Sequence, residues 1–146
     1  MEEVKIITND GRIISLEKDT FIYISTYIGL FQGMIEDIDY ENIGKEDIPL
    51  NGAEASYDTV STIIEFLCTI RQIPKQNIES VEDEFIKNFS TKLIFQLILT
   101  ANFIECKYVL DLLCKSVAKK IKECPDDEAI KREFAMNDTT NAIKNT

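Results

Sequence analysis

The sequence predicts a mixed α/β (α+β) domain, with a small, mainly N-terminal β-sheet, helices packed on it, and further helices at the C-terminal end. Three observations predict it. Two β-branched runs near the N-terminus flank a turn signal, apolar residues recur at helical spacing from residue 56 onward, and the last third reads as consecutive helices. A length of 146 residues with 45% apolar content suits one compact domain. A chain of that size buries roughly 70% of its unfolded surface and needs neither metal nor disulfide to fold.

Residues 4–16 read as a β-hairpin. Val4-Lys5-Ile6-Ile7-Thr8 and Arg12-Ile13-Ile14-Ser15-Leu16 flank Asn9-Asp10-Gly11, which supplies the positive-φ positions of a tight turn. Ser25 is placed to cap a short helix running to about Met34. Residues 36–47 hold Glu36, Asp37, Asp39, Glu41, Glu46 and Asp47 against one base, Lys45, and read as a solvated acidic loop able to meet a basic partner. Asp47-Ile48-Pro49-Leu50 reads as a short edge strand, since proline cannot donate to a central ladder. Val60, Ile63, Ile64, Leu67 and Cys68 predict an amphipathic helix from Ser56 to about Ile70. Residues 71–90, with Pro74, Asn77 and several acids, read as a linker with at most a helical turn near Phe85 and Ile86.

Ser90 or Thr91 caps the next helix, which runs to Ile104. It is apolar almost all round. Lys92, Gln96 and Thr100 form a narrow polar sector, and Asn102 stands alone on the other side. Such a helix must be covered on nearly every side, yet it is too short and too interrupted to span a bilayer. From Lys107 to Ile121, apolar residues cover about half the helical wheel, wider than the roughly 100° stripe of a surface helix. Lys107, Lys115, Lys119 and Lys122 gather opposite. That arc serves either a well-buried helix or one that faces its core on one edge and a partner on the other. Pro125 opens a last short helix, with Asp126, Asp127 and Glu128 favourable to its dipole. Ile130 and Phe134 share one face, which Met136 extends. This helix is too poor in apolar residues to fold alone and must dock on something. The tail beyond it is polar and reads as frayed.

Composition narrows the function. There is no histidine, so imidazole-based nucleophile activation and His-ligated zinc are excluded. The acidic pairs Asp126-Asp127 and Glu82-Asp83-Glu84 are the material for a carboxylate hydrolase, but helix-start charge explains the first better. These residues argue against an enzyme. Cys68, Cys106, Cys114 and Cys124 make no Cys-x-x-Cys pair and read as reduced, partly buried thiols of a cytosolic or nuclear protein. The acidic start Met1-Glu2-Glu3 predicts no secretory signal. A net charge of −10 argues against nucleic acid as a partner. No cofactor, metal or membrane is called for. Protein partners are.

Several segments resemble one known family. Val4 to Gly11 resembles its opening V/I-K-L-x-S-S-D-G, and Ile48-Pro49-Leu50 its I/V-P-L strand. Residues 93–107, Leu93 to Lys107, closely resemble L-F-E-L-I-L-A-A-N-Y-L-D-I-K. Leu110 to Ala118 resembles L-L-D-x-x-C-K-T-V-A, and Ile130 to Asp138 resembles I-R-K-x-F-N-I followed by N-D. The family is that of the S-phase-kinase-associated adaptors of SCF ubiquitin ligases. The resemblance covers residues 4–138 and implies a BTB/POZ-type fold over residues 1–106. It further implies a helical extension for F-box binding over 107–138, while the polar composition of 139–146 predicts a disordered tail.

The resemblance also implies an adaptor of the ubiquitin pathway, in cytoplasm and nucleus, that joins a cullin scaffold to F-box proteins. Asn102 and Phe103 match the family's Asn-Tyr pair at the cullin surface. The F-box groove maps to Ile94, Phe95, Ile98, Leu110, Cys114 and Val117, and continues onto Ile130, Phe134 and Met136. An unpartnered apolar groove also makes a homodimer an expected state of the free chain. Two departures stand out. The family's N-D-F-T reads Asn137-Asp138-Thr139-Thr140, without the aromatic, and the closing helix that ends in Trp-Cys has no counterpart. Each lost aromatic anchor implies about 2 kcal/mol less F-box binding if it fills a desolvated pocket. An elongin C-like adaptor is the alternative, since Ala101 to Cys106 resembles that relative's A-N-F-L-D-C ending. That family stops there, whereas this chain continues with matching helices.

Overall fold

A computed structural model describes residues 2–134. The chain opens with the expected hairpin, β1 (Glu3–Ile7) and β2 (Ile13–Glu17), paired antiparallel with Val4 opposite Leu16 and Ile6 opposite Ile14. Gly11 takes φ +79° in the turn, and Thr8 N–H donates to the Arg12 carbonyl at 2.9 Å. A two-residue strand, β3 (Ile48–Pro49), joins the other side of β1 in parallel, giving the order β2-β1-β3. Pro49 sits on an edge strand, as its missing N–H requires.

Between β2 and β3 the helices differ from expectation. A helix α1 (Lys18–Ser25) follows β2 without a break, and a second, α2 (Gly29–Ile35), begins after a short turn. Ser25 therefore closes one helix instead of capping the next. Its hydroxyl donates back to the Phe21 carbonyl at 2.7 Å, a common alternative use of a helical serine. Lys18 is buried at the start of α1. Its ammonium pairs with Glu2 at 2.6 Å and donates to the Tyr40 carbonyl at 2.8 Å. This moors the acidic loop, which is exposed apart from Ile43 and Gly44 and makes one 3-10 turn at Tyr40–Asn42.

Helix α3 (Tyr57–Arg71) is capped by Ser56, whose hydroxyl accepts from Thr59 N–H, and buries Val60, Ile63, Ile64 and Leu67. The stretch expected to be a linker holds a real helix, α4 (Ile78–Lys87), after a 3-10 turn at Lys75–Asn77. Its aromatic Phe85 stacks on Phe66 of α3 with ring centroids 4.1 Å apart. Tertiary stacking stabilises a segment whose own acids dilute its apolar pattern. Helices α5 (Thr91–Phe103) and α6 (Lys107–Glu123) follow, then α7 over residues 127–134. Val4, Phe21, Ile24, Ile63, Leu67, Leu97 and Leu113 meet in one core, so α6 is rooted in the same interior as β1. This is the mixed fold, strands first and helices last, that the sequence predicts. Met136 and the 139–146 tail lie outside the described residues.

One turn fixes the α5–α6 pair. Cys106 N–H donates to the Ala101 carbonyl at 2.8 Å and Glu105 N–H to that of Asn102 at 3.2 Å, which is a Schellman closure of α5. Glu105 takes φ +61°, the left-handed conformation that a side chain resists. The carbonyls of Glu105 and Ile104 accept from Gly29 and Leu30 N–H at 2.9 and 3.1 Å, satisfying the first donors of α2. A Cβ at Gly29 would stand 3.0 Å from that of Glu105. Glu105→Gly is expected to raise stability by about 0.5–1 kcal/mol, because it removes the left-handed strain. Thermal unfolding checks this as a rise of a few degrees in Tm.

Candidate functional site

Spacing divides the surface of α5 into two adjoining strips. Phe95, Ile98 and Asn102, at i, i+3 and i+7, share one, and Lys92, Gln96, Leu99 and Phe103 share the next. The core side is formed by Ile94, Leu97, Thr100 and Ala101. Thr100 thus leaves the expected polar sector. It is buried, with its hydroxyl 2.8 Å from that of Thr59 and bonded to the Glu54 carbonyl. Ile94 is likewise fully buried. It supports the helix from beneath and is not on the surface where the resemblance puts it.

At the C-terminal end of α5, Asn102 is exposed and Phe103 half-buried, with Leu99 at 56% exposure one turn before Phe103. The Phe103 ring lies against Gly52. A Cβ there would come within 2.4 Å of a ring carbon, so only glycine leaves the ring where it is. Asn102 and Phe103 therefore do form a surface, and Leu99 joins it. Sequence reasoning missed Leu99, because an all-round apolar helix does not say which side stays open. The i, i+4 spacing from Leu99 to Phe103 is the available signal.

A second apolar strip runs along α6. Leu110 and Val117 are half-buried, Cys114 is exposed, and Ile121 continues the row at 42% exposure. The spacing i, i+4, i+7, i+11 keeps all four on one side, next to the buried row Val109, Leu112, Leu113 and Ser116. The strip is the outer edge of the over-wide apolar arc, and Ile121 is the member that sequence reasoning left out. Helix α7 closes the far end. Phe134 meets Phe95 edge-on, with ring centroids 5.7 Å apart, and Ile130 is half-buried one turn earlier. Phe95 and Phe134 are thus brought together.

No protein-family model matches the sequence. It is similar to SKP1-like protein 15 of Arabidopsis thaliana, 35% identical over 75 residues, which is 48% of this chain and 42% of the plant protein. It is also similar to the SCF ubiquitin ligase complex proteins SKP1b and SKP1a of Dictyostelium discoideum. Each is 26% identical over 151 aligned positions, covering 96% of this chain and 88% of the relative. Those alignments run through α6 and onward, well past the point where an elongin C-like chain stops. The chain is thus similar to SKP1 proteins over nearly its whole length.

Helix α7 is held by a defined clasp. Asp126 caps it, its carboxylate accepting from Ala129 N–H at 2.8 Å. The acidic pair at 126–127 thus belongs to a helix start. Glu133 then reaches two helices at once, accepting from the Thr91 hydroxyl of α5 at 2.9 Å and pairing with the Lys120 ammonium of α6 at 3.3 Å. The Thr91 hydrogen bond, and then Lys120, hold the Glu133 carboxyl below its usual range. A depressed carboxylate stabilises the docked helix above its unfolded pKa, and that contribution is lost as pH falls through the folded value. Elsewhere, burial pushes the Cys106 and Cys68 thiols up, away from reactive thiolate. Among the described residues no three His, Cys, Asp or Glu side chains are placed to hold a metal ion.

The clasp sets an expectation for α7. Glu133 and Lys120 are both partly exposed, so the pair contributes at most about 1 kcal/mol. Glu133→Ala should speed amide exchange across 127–134 several-fold while the interior of α5 and α6 keeps its protection. Glu133→Gln, which retains an acceptor for Thr91, should fall between. Hydrogen exchange at neutral pH measures this, and equal protection in all three proteins would contradict the clasp.

Proposed function

We propose that this chain is a non-catalytic adaptor subunit of an SCF-type cullin–RING ubiquitin ligase, joining a cullin scaffold to F-box substrate receptors. The observation that carries the reading is a pair of apolar surfaces on the α5–α6 unit, which adjoin along α5, where Asn102 follows Ile98 on one strip and stands beside Phe103 on the next. One comprises Leu99, Asn102 and Phe103 near the α5 C-terminus, and the other comprises the α6 strip with Phe95, Ile98 and α7. An adaptor must hold two partners at once, so it needs two such surfaces, rigidly connected. The relatives named for SCF ubiquitin ligase complexes support the same reading. Asn102, Phe103 and Leu99 are assigned to the cullin. Phe95, Ile98, Leu110, Cys114, Val117, Ile121, Ile130 and Phe134 are assigned to the F-box, with Ile94 as their support. Work in the cytoplasm and nucleus belongs to this proposal.

The two assignments separate by mutation. Asn102→Lys with Phe103→Lys should abolish co-purification with a cullin N-terminal domain and leave F-box binding intact. Gly52→Ala should weaken cullin binding in the same sense, because its methyl group displaces the Phe103 ring. Cys114→Arg or Val117→Asp should do the reverse, since an unpaired charge buried at an interface costs several kcal/mol. Pull-downs with each partner, beside circular dichroism of each variant, decide it. Loss of both partners by folded single-surface variants would refute the two-surface assignment.

A further inference from the structure

On the flank of α6 away from the apolar strip, a groove runs between α4 and α6. Its floor is Ile78 and Ile86 of α4 with Leu112 and Ser116 of α6, and it holds a cavity of about 620 Å³. Hollows at both ends share its lining, one at Tyr108, Leu112, Cys114 and Lys115, the other at Ile86, Ser116 and Lys119, so the seam extends lengthwise along α6. The walls carry opposite charge. Glu79, Glu82 and Asp83 stand on the α4 side, with Lys75 at its leading end, and Lys115 and Lys119 on the α6 side. Among the described residues no ion pair crosses between them, although the Tyr108 hydroxyl of α6 donates to the Glu82 carboxylate at one end. Helix α4 itself has no fully buried side chain, although Ile78, Val81, Phe85 and Ile86 give it a strongly apolar face. An amphipathic helix left half-covered over an open groove is unfinished packing.

We infer that the α4/α6 groove is a docking site for an amphipathic helix of a partner protein. The charge pattern states the chemistry of that helix: an apolar face at i, i+3, i+4, i+7 spacing, a basic row meeting Glu79 and Asp83, and an acidic row meeting Lys115 and Lys119. A groove open along its length with an apolar floor suits helix-in-groove recognition. A uniformly basic or uniformly acidic helix would meet one wall of like charge, which gives the site selectivity through repulsion. This surface meets the α6 strip only at Cys114, which borders its Tyr108 end, and does not rest on the bridging reading.

The probe is a synthetic helix of about 15 residues, near the length at which an isolated helix begins to hold. It carries leucines on one face with a lysine row and a glutamate row beside it, and a second peptide carries lysine on both flanks. Titration into isotope-labelled protein should move the methyl signals of Ile78, Ile86 and Leu112 saturably with the mixed peptide. Lys115→Glu with Lys119→Glu changes two exposed side chains and should leave the fold intact by circular dichroism. It should weaken the mixed peptide about five- to tenfold and shift preference to the all-lysine peptide. Shifts centred on Leu110 and Val117, no saturable shifts, or equal affinity for the native and the all-acidic groove would each overturn the proposal. So would concentration-dependent self-association that moves the same methyls without peptide, because a second copy would then be the occupant.

Discussion

The left-handed turn at Glu105 is the constraint on which the working surface depends. Ending α5 there lets α6 start after a short turn, and the carbonyls released at 104 and 105 become acceptors for the first donors of α2. Three helices are therefore tied by one peptide stretch. Asn102 and Phe103 lie just before the turn, and the α6 strip begins just after it. The orientation of one surface relative to the other is set by backbone hydrogen bonds and not by side-chain packing alone.

The chain spreads its exposed apolar groups unevenly. Leu99 and Ile121, each with a large exposed fraction, sit at the ends of the two α5–α6 surfaces, while most of the net negative charge lies elsewhere, in the acidic loop and α4. Lysines occupy the side of α6 away from its apolar strip. This segregation keeps like charge from crowding the apolar surfaces, where desolvation would make it costly. The acidic loop would repel itself if free. The buried Lys18 ammonium, shared by Glu2 and the Tyr40 carbonyl, holds its middle in place.

Much of this was legible in the sequence where local chemistry and tertiary context agree. The hairpin, α3, α5 and α6 carry their own signals, with Asn9-Asp10-Gly11 in the turn and Ser56 and Ser90 as caps. Helix α1 was not legible because it grows directly out of β2 behind Glu17, with no side-chain cap. Helix α4 was masked by its acids and owes its place to aromatic stacking against Phe66. In the site, spacing gave only the wide apolar arc of α6, and the family resemblance picked out Leu110, Cys114 and Val117 within it. Spacing left the sides of α5 undetermined, so the resemblance's placing of Ile94 outward went unchecked and Leu99 was overlooked. A helix apolar all round reveals that it is covered on several sides, but the neighbours decide which side.

The parallel pairing of β1 with β3 has a kinetic consequence. Antiparallel β1–β2 contacts close a short loop, and α5–α6 contacts form across three turn residues. The partners Ile6 and Ile48, by contrast, meet only after the whole stretch between them has been brought home. Loop-closure entropy opposes such a contact until other interactions have already gathered the chain. Two residues of strand return little for that closure. The third strand should therefore join late in folding, and its pairing should be among the first to open. The hairpin and the α5–α6 unit supply the early structure onto which it closes.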